Sequence, residues 1–342
     1  MNRTTKRFTI VWAVIITLVA AFTFIDLPYY VTTPGEAREL DDVIKVDGGS
    51  PDEGEFMLTT VRVGEANIIQ YVWAKFNQYH ELISEDMIKR EGESDEEYHE
   101  RQLEVMAGSQ TDATIVAYQA ADKSITIDHK GVLVTGVVEG MPAEGKLKPG
   151  DLITGVDGNN IEKTQQLLDL LGEYTESDKV VITFKRGDEQ QEIELGFSEF
   201  PERFNTEDGK VGIGITGPVT AKTIKTEPSV DINTDQIGGP SAGLMFSLEI
   251  YNQLTEEDWT KGYKIAGTGT ITEEGEVGPI GGIQQKVVAA DGSGADIFFA
   301  PVAHSNYEDA LEAAEDIKTK MKVVPVETFK DASDYLKQLE EK

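Results

Sequence analysis

Gly238-Gly239-Pro240-Ser241-Ala242-Gly243 is the stretch around which this 342-residue chain is organised, and it leads directly into the apolar run 244–250. A serine between glycines at the start of such a run is predicted to lie at a helix N-terminus. Backbone N–H groups are unpaired there, and the helix dipole favours negative charge. The position therefore suits a nucleophile.

Lys286 is the second candidate residue. A serine hydroxyl is a weak nucleophile at its own pKa and needs an adjacent base. A lysine can serve as that base when burial lowers its pKa far enough to leave the amine neutral. Lys286 follows Ile283 and precedes Val287 and Val288, which is an apolar setting. We therefore predict that Ser241 and Lys286 form a Ser/Lys dyad.

Three motifs resemble the proteolytic domain of the Lon family: the turn 240–243, the stretch Pro279-Ile280-Gly281-Gly282 ahead of Lys286, and Gly267-Thr268-Gly269 between them. The resemblance covers about residues 205–342 and implies an α+β proteolytic domain. It assigns Ser241 as nucleophile, Lys286 as base and Thr268 as the residue that orients the lysine. It also implies a homo-oligomeric ring.

Each motif has another interpretation. Residues 239–243 also match the G-x-S-x-G elbow of α/β-hydrolases, but that elbow follows a hydrophobic strand and needs an acid and then a histidine downstream. Asp235-Gln236-Ile237 precedes this turn, and His304 is the only later histidine. A lone capped helix or a lone surface lysine would also be ordinary. The joint pattern favours the dyad. The backbone N–H groups around Ser241 and its preceding glycines are the predicted oxyanion site, with Gly239 and Pro240 as the oxyanion turn.

Composition excludes several functions. The chain has no cysteine, which rules out disulfides, zinc–thiolate sites and cysteine nucleophiles. Its 31 basic and 62 acidic residues give a net charge of −31, which argues against nucleic acid as a partner. His80, His99 and His129 are scattered without ligand spacing, so we predict no metal and no cofactor.

The N-terminal segment 8–25 carries no charged residue, and at about 1.5 Å per residue it is just long enough to span a bilayer. Basic residues precede it, which predicts a cytoplasmic N-terminus. We expect residues 1–30 to be a cytoplasmic tail and single-pass membrane anchor, with Tyr29 and Tyr30 at the outer interface and the bulk extracytoplasmic. A cleaved signal peptide, with a site near Ala20-Ala21, is the alternative.

Residues 31–121 are predicted to hold strands and a helical spacer. The stretches 43–46 and 56–63 have strand character, and we expect them to join the sheet of the later protease domain. Residues 65–120 show helical spacing of apolar side chains. The acidic run 91–104 is most simply a solvated helix face.

Residues 122–197 resemble a PDZ domain, on the strength of Lys148-Pro149-Gly150-Asp151-Leu152-Ile153 and the strand that begins at Gly131. The resemblance implies a partly open β-barrel with helices that binds an extended chain as an added strand. Gly131, Val132, Leu133 and Val134 are the predicted peptide-binding residues. C-terminal, internal and unfolded segments are all open as ligands.

One motif inside this domain is misleading. Residues 140–146 match the first seven positions of a phosphate-binding P-loop. Leu147 stands where serine or threonine should hold magnesium, and Pro142 removes a backbone N–H group from the loop. We therefore predict no nucleotide.

The predicted fold class is α+β, with an N-terminal transmembrane helix, a helical spacer, a PDZ domain and a Lon-type proteolytic domain. The predicted function is an ATP-independent serine endopeptidase that cleaves membrane or exported polypeptides, unfolded or regulatory, outside the cytoplasmic membrane. One alternative is a PDZ-based tethering or scaffold protein with a non-catalytic Lon-like domain. Another is a Ser/Lys amidase that acts on a small amide.

Overall fold

Two units make up the chain in the computed structural model, which describes residues 12–13, 17, 22–50, 53–90, 93–201, 210–234 and 237–342. The first unit comprises residues 1–125 and 226–342, and the second comprises residues 126–225. The second unit is therefore an insertion in the sequence of the first.

Strands and helices alternate irregularly along the chain. The strands are β1 (Asp26–Glu39), β2 (Ile44–Val46), β3 (Glu55–Asn67), β4 (Glu81–Ser84), β5 (Ser124–Leu133), β6 (Gly136–Val137), β7 (Leu152–Val156), β8 (Asn159–Asn160), β9 (Lys179–Arg186), β10 (Glu189–Gly196), β11 (Ser198–Glu199), β12 (Val211–Gly212), β13 (Ile215–Thr216), β14 (Val219–Glu227), β15 (Val230–Ile232), β16 (Lys264–Gly267), β17 (Thr270–Ile271), β18 (Val277–Gly278), β19 (Ile297–Pro301) and β20 (Lys322–Val326). The helices are α1 (Ile68–Ala74), α2 (Glu85–Ile88), α3 (Asp95–Ala120), α4 (Thr164–Leu171), α5 (Gly243–Leu254), α6 (Ile283–Gly292), α7 (Asn306–Asp316) and α8 (Phe329–Lys337).

A six-stranded sheet in the order β20-β19-β16-β3-β1-β4 is the centre of the first unit. Strands β3, β16, β19 and β20 run parallel, and β1 pairs antiparallel with β3 and β4. All five residues of β19 are buried. A strand without polar alternation is typical of a sheet covered on both faces.

Helices cover both faces of this sheet, and successive residues of its strands point to opposite sides. Phe299 on β19 packs in one cluster with residues of α3, α5 and α8. Phe298, the preceding residue, packs in another cluster with residues of α6 and α7. The nucleophile helix α5 and the lysine helix α6 therefore lie on opposite faces of the sheet.

The expected helical spacer is corrected by the structure. Helix α3 buries Met106, Ala113 and Val116 in the same core cluster as α5. The expected strand 56–63 lies in β3 of the central sheet, whereas the expected strand 43–46 forms β2, which pairs with β15 outside that sheet. The acidic residues at the start of α3 are mostly exposed, whereas its second half is buried. Because the apolar positions are concentrated after residue 105, α3 is part of the core and not a separate element.

The predicted N-terminal transmembrane helix is also corrected. Among the described residues, none of the helices has the length and apolar character needed to cross a bilayer. Most of segment 8–25 lies outside those residues. Tyr30, expected at a membrane interface, is 5% exposed within β1, and its hydroxyl lies 3.4 Å from a carboxylate oxygen of both Glu65 and Asp95. The fold of the described residues is mixed α+β, and the predicted transmembrane helix is not supported.

The second unit is built on a sheet in the order β10-β9-β7-β5-β14, with β8 paired to β7. Val132, Ile153 and Ile182 are fully buried in its core. At the Pro149-Gly150 corner, Asp151 accepts the Lys148 N–H at 2.8 Å and pairs with Arg186. This ion pair fixes the corner that precedes β7.

Gly282 begins helix α6 in a left-handed conformation, with φ of 69°. A Cβ atom there would lie 2.9 Å from Cγ1 of Val61 on β3. The carbonyl of Gly282 accepts the backbone N–H of Lys286 at 3.0 Å. Only glycine satisfies both the backbone angle and the close approach, so this residue sets where α6 starts.

We expect Gly282→Ala to destabilise the first unit by about 1–3 kcal/mol, because it adds left-handed strain and a contact with Val61. Gly292→Ala is the matched control, since it lies in the same helix, meets nothing within 4 Å and lacks a positive φ. Denaturant unfolding of both variants checks this. Equal stability of the two variants would contradict the role given to Gly282.

Candidate active site

Ser241 lies in the turn that opens helix α5, immediately before the N-cap residue Ala242. The turn needs Gly239, whose φ is 91°. Leu244 and the two residues after it are fully buried, whereas Ser241 is only partly buried. A helix enclosed by the core thus holds an accessible serine at its N-terminus.

Lys286 projects from the first turns of α6 and is 2% exposed. Its Nζ lies 2.7 Å from Oγ of Ser241 and 2.8 Å from Oγ1 of Thr268. Burial disfavours the charged ammonium and lowers the pKa of Lys286 to about 7. The amine is therefore substantially neutral at neutral pH and able to accept a proton.

Thr268 connects the lysine to the nucleophile turn. It follows β16, is fully buried, and donates its hydroxyl hydrogen to the carbonyl of Ser241 at 2.9 Å. A threonine hydroxyl has one hydrogen, so its oxygen faces Lys286 as an acceptor. One N–H of the amine is thereby directed at Thr268, and its lone pair is left for the hydroxyl of Ser241.

The carbonyl groups of Pro240 and Ser241 accept hydrogen bonds from within the protein. Ser241 O accepts the N–H of Gly269 at 2.8 Å as well as the Thr268 hydroxyl, and Pro240 O accepts the hydroxyl of Ser109 at 2.9 Å. Of the predicted oxyanion residues, Gly239 donates its N–H to the carbonyl of Gln102 at 2.9 Å, and Pro240 has no N–H.

The backbone N–H groups of Ser241 and Ala242 differ from that of Gly239. In the part of the chain that the structure describes, neither donates a hydrogen bond to another residue. They lie at the positive end of α5, beside the nucleophile oxygen. These two groups, and not those of Gly239 and Pro240, are available to a developing oxyanion.

Sequence reasoning missed Gln102 and Ser109 on helix α3. Ser109 is 5% exposed, in line with Met106 and Ala113 on the buried side of the helix. The helical period predicts an apolar residue at that position. A serine in an otherwise apolar stripe was the available signal.

The predicted peptide-binding residues lie at the end of β5. Val132 and Val134 are fully buried in the core of the second unit. A Cβ at Gly131 would lie 2.4 Å from the carbonyl of Ile153. Val132 and Leu133 pair with Ile153 and Leu152 of β7, and Val134 follows the end of the strand. The peptide-binding role of these four residues stays a prediction.

An acidic group lies at the end of β1. Glu39, Asp41 and Asp42 are the only three metal-ligating side chains found within 4.8 Å of one another among the described residues, and all are exposed. The nearby carboxylate of Glu55 raises the pKa of Glu39. The cluster is remote in sequence from the serine and the lysine, and the absence of a metal stays a prediction.

Two families match the chain. Residues 110–196 match the PDZ domain, and residues 233–338 match the Lon protease (S16) C-terminal proteolytic domain. The PDZ match begins inside α3, which the structure places in the first unit. The chain therefore carries a PDZ domain and a Lon-type proteolytic domain.

Curated relatives agree with the second match. The Lon protease of Aster yellows witches'-broom phytoplasma is 33% identical over 27% of this chain, and that of Campylobacter concisus is 38% identical over 27%. The matched region spans 11% of the length of each relative. Among solved structures, the PDZ domain of an SdrC-like protein from Listeria monocytogenes is 32% identical over 27% of this chain and 90% of that one, with a TM-score of 0.24. The proteolytic-domain match and the Lon relatives support a serine peptidase, a hydrolase.

We expect Lys286→Met to raise the stability of the protein at pH 7 by a few kcal/mol, because it removes an amine whose protonation is opposed by burial. The loss of stability in wild type relative to Lys286→Met is largest below pH 7, where the amine of Lys286 must be protonated in the folded state as well as in the unfolded chain. It shrinks as pH rises toward 10.5, since only the unfolded chain binds the extra proton in that window.

Denaturant unfolding at several pH values measures this difference. Lys337→Met, which removes an exposed lysine from α8, is the control and should leave stability nearly unchanged at every pH. A stability gain for Lys286→Met that does not depend on pH would contradict the lowered pKa.

Proposed function

We propose that the protein is an ATP-independent serine endopeptidase that uses a Ser241/Lys286 dyad on polypeptide substrates. One observation carries the proposal: the Nζ of Lys286, with a pKa of about 7, lies 2.7 Å from Oγ of Ser241. A base must be within hydrogen-bond reach of the proton it removes and must be neutral at working pH. The pair meets both requirements.

In the first half of the reaction, Oγ of Ser241 attacks the carbonyl carbon of the scissile peptide bond. Neutral Lys286 takes the hydroxyl proton at Nζ and then transfers it to the leaving amine nitrogen, so the C–N bond breaks and an ester to Ser241 remains. Lys286 next takes a proton from water as the water oxygen attacks the ester carbon, and it returns that proton to Oγ of Ser241 when the ester C–O bond breaks and the acid leaves. Thr268 keeps the lone pair of the amine directed at the reacting oxygen.

Charge that develops on the carbonyl oxygen is stabilised by the backbone N–H groups of Ser241 and Ala242. Fixed donors of this kind are typically worth about 3 kcal/mol each in the transition state. The N-terminus of α5 adds the partial positive charge of the helix dipole.

The PDZ domain supports polypeptides as substrates, because domains of that family bind extended chain segments. We propose unfolded or regulatory polypeptides as the substrate class. In the stretch 140–147, which resembles a P-loop in sequence, Leu147 is 2% exposed and packs in the core of the second unit. The absence of a nucleotide stays a prediction. The extracytoplasmic location and the homo-oligomeric ring stay predictions.

We expect the full-length chain to cleave an unfolded protein without ATP, and Ser241→Ala and Lys286→Ala to lose at least about 1,000-fold in rate, because nucleophile and base act as a unit. Ser247→Ala is the matched control. It removes a buried hydroxyl from the same helix, where Oγ bonds only the carbonyl of Leu244 at 2.7 Å. Gel or mass-spectrometric detection of fragments measures the rates.

Two results would contradict the proposal. Equal cleavage by all four proteins would show that the activity belongs to other residues or to a contaminant. An inert wild type that still binds unfolded protein would favour the tethering function, with a non-catalytic Lon-like domain.

The pH profile of kcat/KM gives an independent check. Since Lys286 must be neutral to accept the proton, activity should be low below pH 6, rise through a midpoint of about 7 and level off above pH 8. Initial rates with a fluorogenic peptide at constant ionic strength measure it. A flat profile, or a midpoint close to that of an ordinary lysine, would be inconsistent with the dyad.

A further inference from the structure

Helix α3 contacts the nucleophile turn at two points and Thr234, ahead of that turn, at a third. Its Gln102 carbonyl accepts the N–H of Gly239 at 2.9 Å, its Ser109 hydroxyl donates to the carbonyl of Pro240 at 2.9 Å, and its Gln110 side chain donates to Oγ1 of Thr234 at 3.0 Å. Only the Ser109 contact reaches the peptide group that contains the nitrogen of Ser241.

Ser109 is also packed against the start of α5. A Cβ atom at Gly243 would lie 2.7 Å from Oγ of Ser109. The hydroxyl is thus enclosed between the turn and the first residue of α5, where a polar group is costly unless it is bonded. The bond to Pro240 satisfies it, and the enclosure leaves it little freedom to turn elsewhere.

The peptide group between Pro240 and Ser241 is planar, and its C=O and N–H point in opposite directions. When Ser109 holds the carbonyl of Pro240 toward α3, it turns the N–H of Ser241 away from α3. The next peptide group is fixed in the same manner, because the carbonyl of Ser241 accepts from Thr268 and Gly269. Both peptide groups that flank the nucleophile are therefore oriented by bonds to their carbonyl oxygens.

We infer that Ser109 is a positioning residue for the reaction, which fixes the Pro240–Ser241 peptide and so directs both the Ser241 N–H and the Ser241 hydroxyl. The inference rests on the proposed dyad. Ser109 does not touch the reacting atoms and acts only through the turn. Its loss should leave Lys286 buried, because Ser109 bonds Pro240 whereas the amine of Lys286 bonds Ser241 and Thr268.

The rate at which an alkyl fluorophosphonate modifies Ser241 tests this role directly. In that reaction the Oγ–P bond forms, fluoride leaves and Lys286 takes the hydroxyl proton. We expect Ser109→Ala to slow modification by about 10- to 100-fold, the loss typical of a misplaced reacting group. Ser109→Thr, which keeps a hydroxyl, should react at least about 5-fold faster than Ser109→Ala.

The matched control is Thr114→Val. It removes another buried hydroxyl from α3, one that bonds only within the helix, to the carbonyl of Gln110 at 2.8 Å. The control should react within about 3-fold of wild type, in line with substitutions remote from the reacting groups. In Ser109→Ala the pH midpoint should stay at about 7 while the plateau falls. A disrupted core would instead move the midpoint toward that of an exposed lysine.

The result that overturns the inference is a Ser109→Ala rate within about 3-fold of wild type, or an equal loss in Thr114→Val. A shifted midpoint would likewise overturn it, since it would assign the loss to the core. Modification does not require peptide cleavage. A wild type that is modified at Ser241 but cleaves no polypeptide would contradict the proposed endopeptidase. The modification rates of wild type and Ser109→Ala would still decide the role of Ser109. A wild type unmodified at Ser241 would overturn both.

Discussion

The cost of burying the amine of Lys286 is the constraint that the rest of the site depends on. The side chain is almost completely enclosed, and its surroundings lower its pKa to about 7. The hydroxyls of Ser241 and Thr268, both neutral, are its hydrogen-bond partners. An acidic partner would have raised the pKa and kept the amine charged. Two neutral acceptors instead hold the amine in place and leave it able to titrate near neutrality.

The central sheet brings these three residues together. Ser241 comes from α5 on one face and Lys286 from α6 on the other, and they meet at Thr268, directly after the end of β16. The carboxyl end of a parallel strand is where side chains from both covering layers can converge. Close packing at that end is strict, because a Cβ at Gly267 would lie 2.6 Å from Sδ of Met245. The site is thus formed where helices on the two faces of the sheet meet at the carboxyl end of β16.

The sequence indicated Ser241, Lys286 and Thr268 because each lies in a short motif whose chemistry can be interpreted locally. A serine in an apolar stripe marks Ser109 as unusual, but the sequence could not indicate its partner, because Pro240 lies 131 residues further along the chain. The insertion of the second unit between them hides that pairing from any local pattern. The apolar run before Asp26 likewise predicted a membrane helix, and none of the described helices is long and apolar enough to be one. After that run the chain enters β1, where Tyr30 is buried.

Two hydrogen bonds at different points of helix α3 constrain its position along and about its axis. Its second half carries Ser109 to the nucleophile turn, and near its end the hydroxyl of Tyr118 donates to the carbonyl of Pro228 at 2.6 Å. Residues 118 and 228 lie just outside the limits of the second unit, 126 and 225, so this bond joins the two ends of the first unit where the insertion leaves and returns. Because a helix is stiff along its axis, a shift by one residue at Tyr118 would carry Ser109 off the buried face and away from Pro240. The Tyr118–Pro228 bond and the Ser109–Pro240 bond therefore both fix helix α3, and a shift of the helix that breaks one of them would also disturb the other.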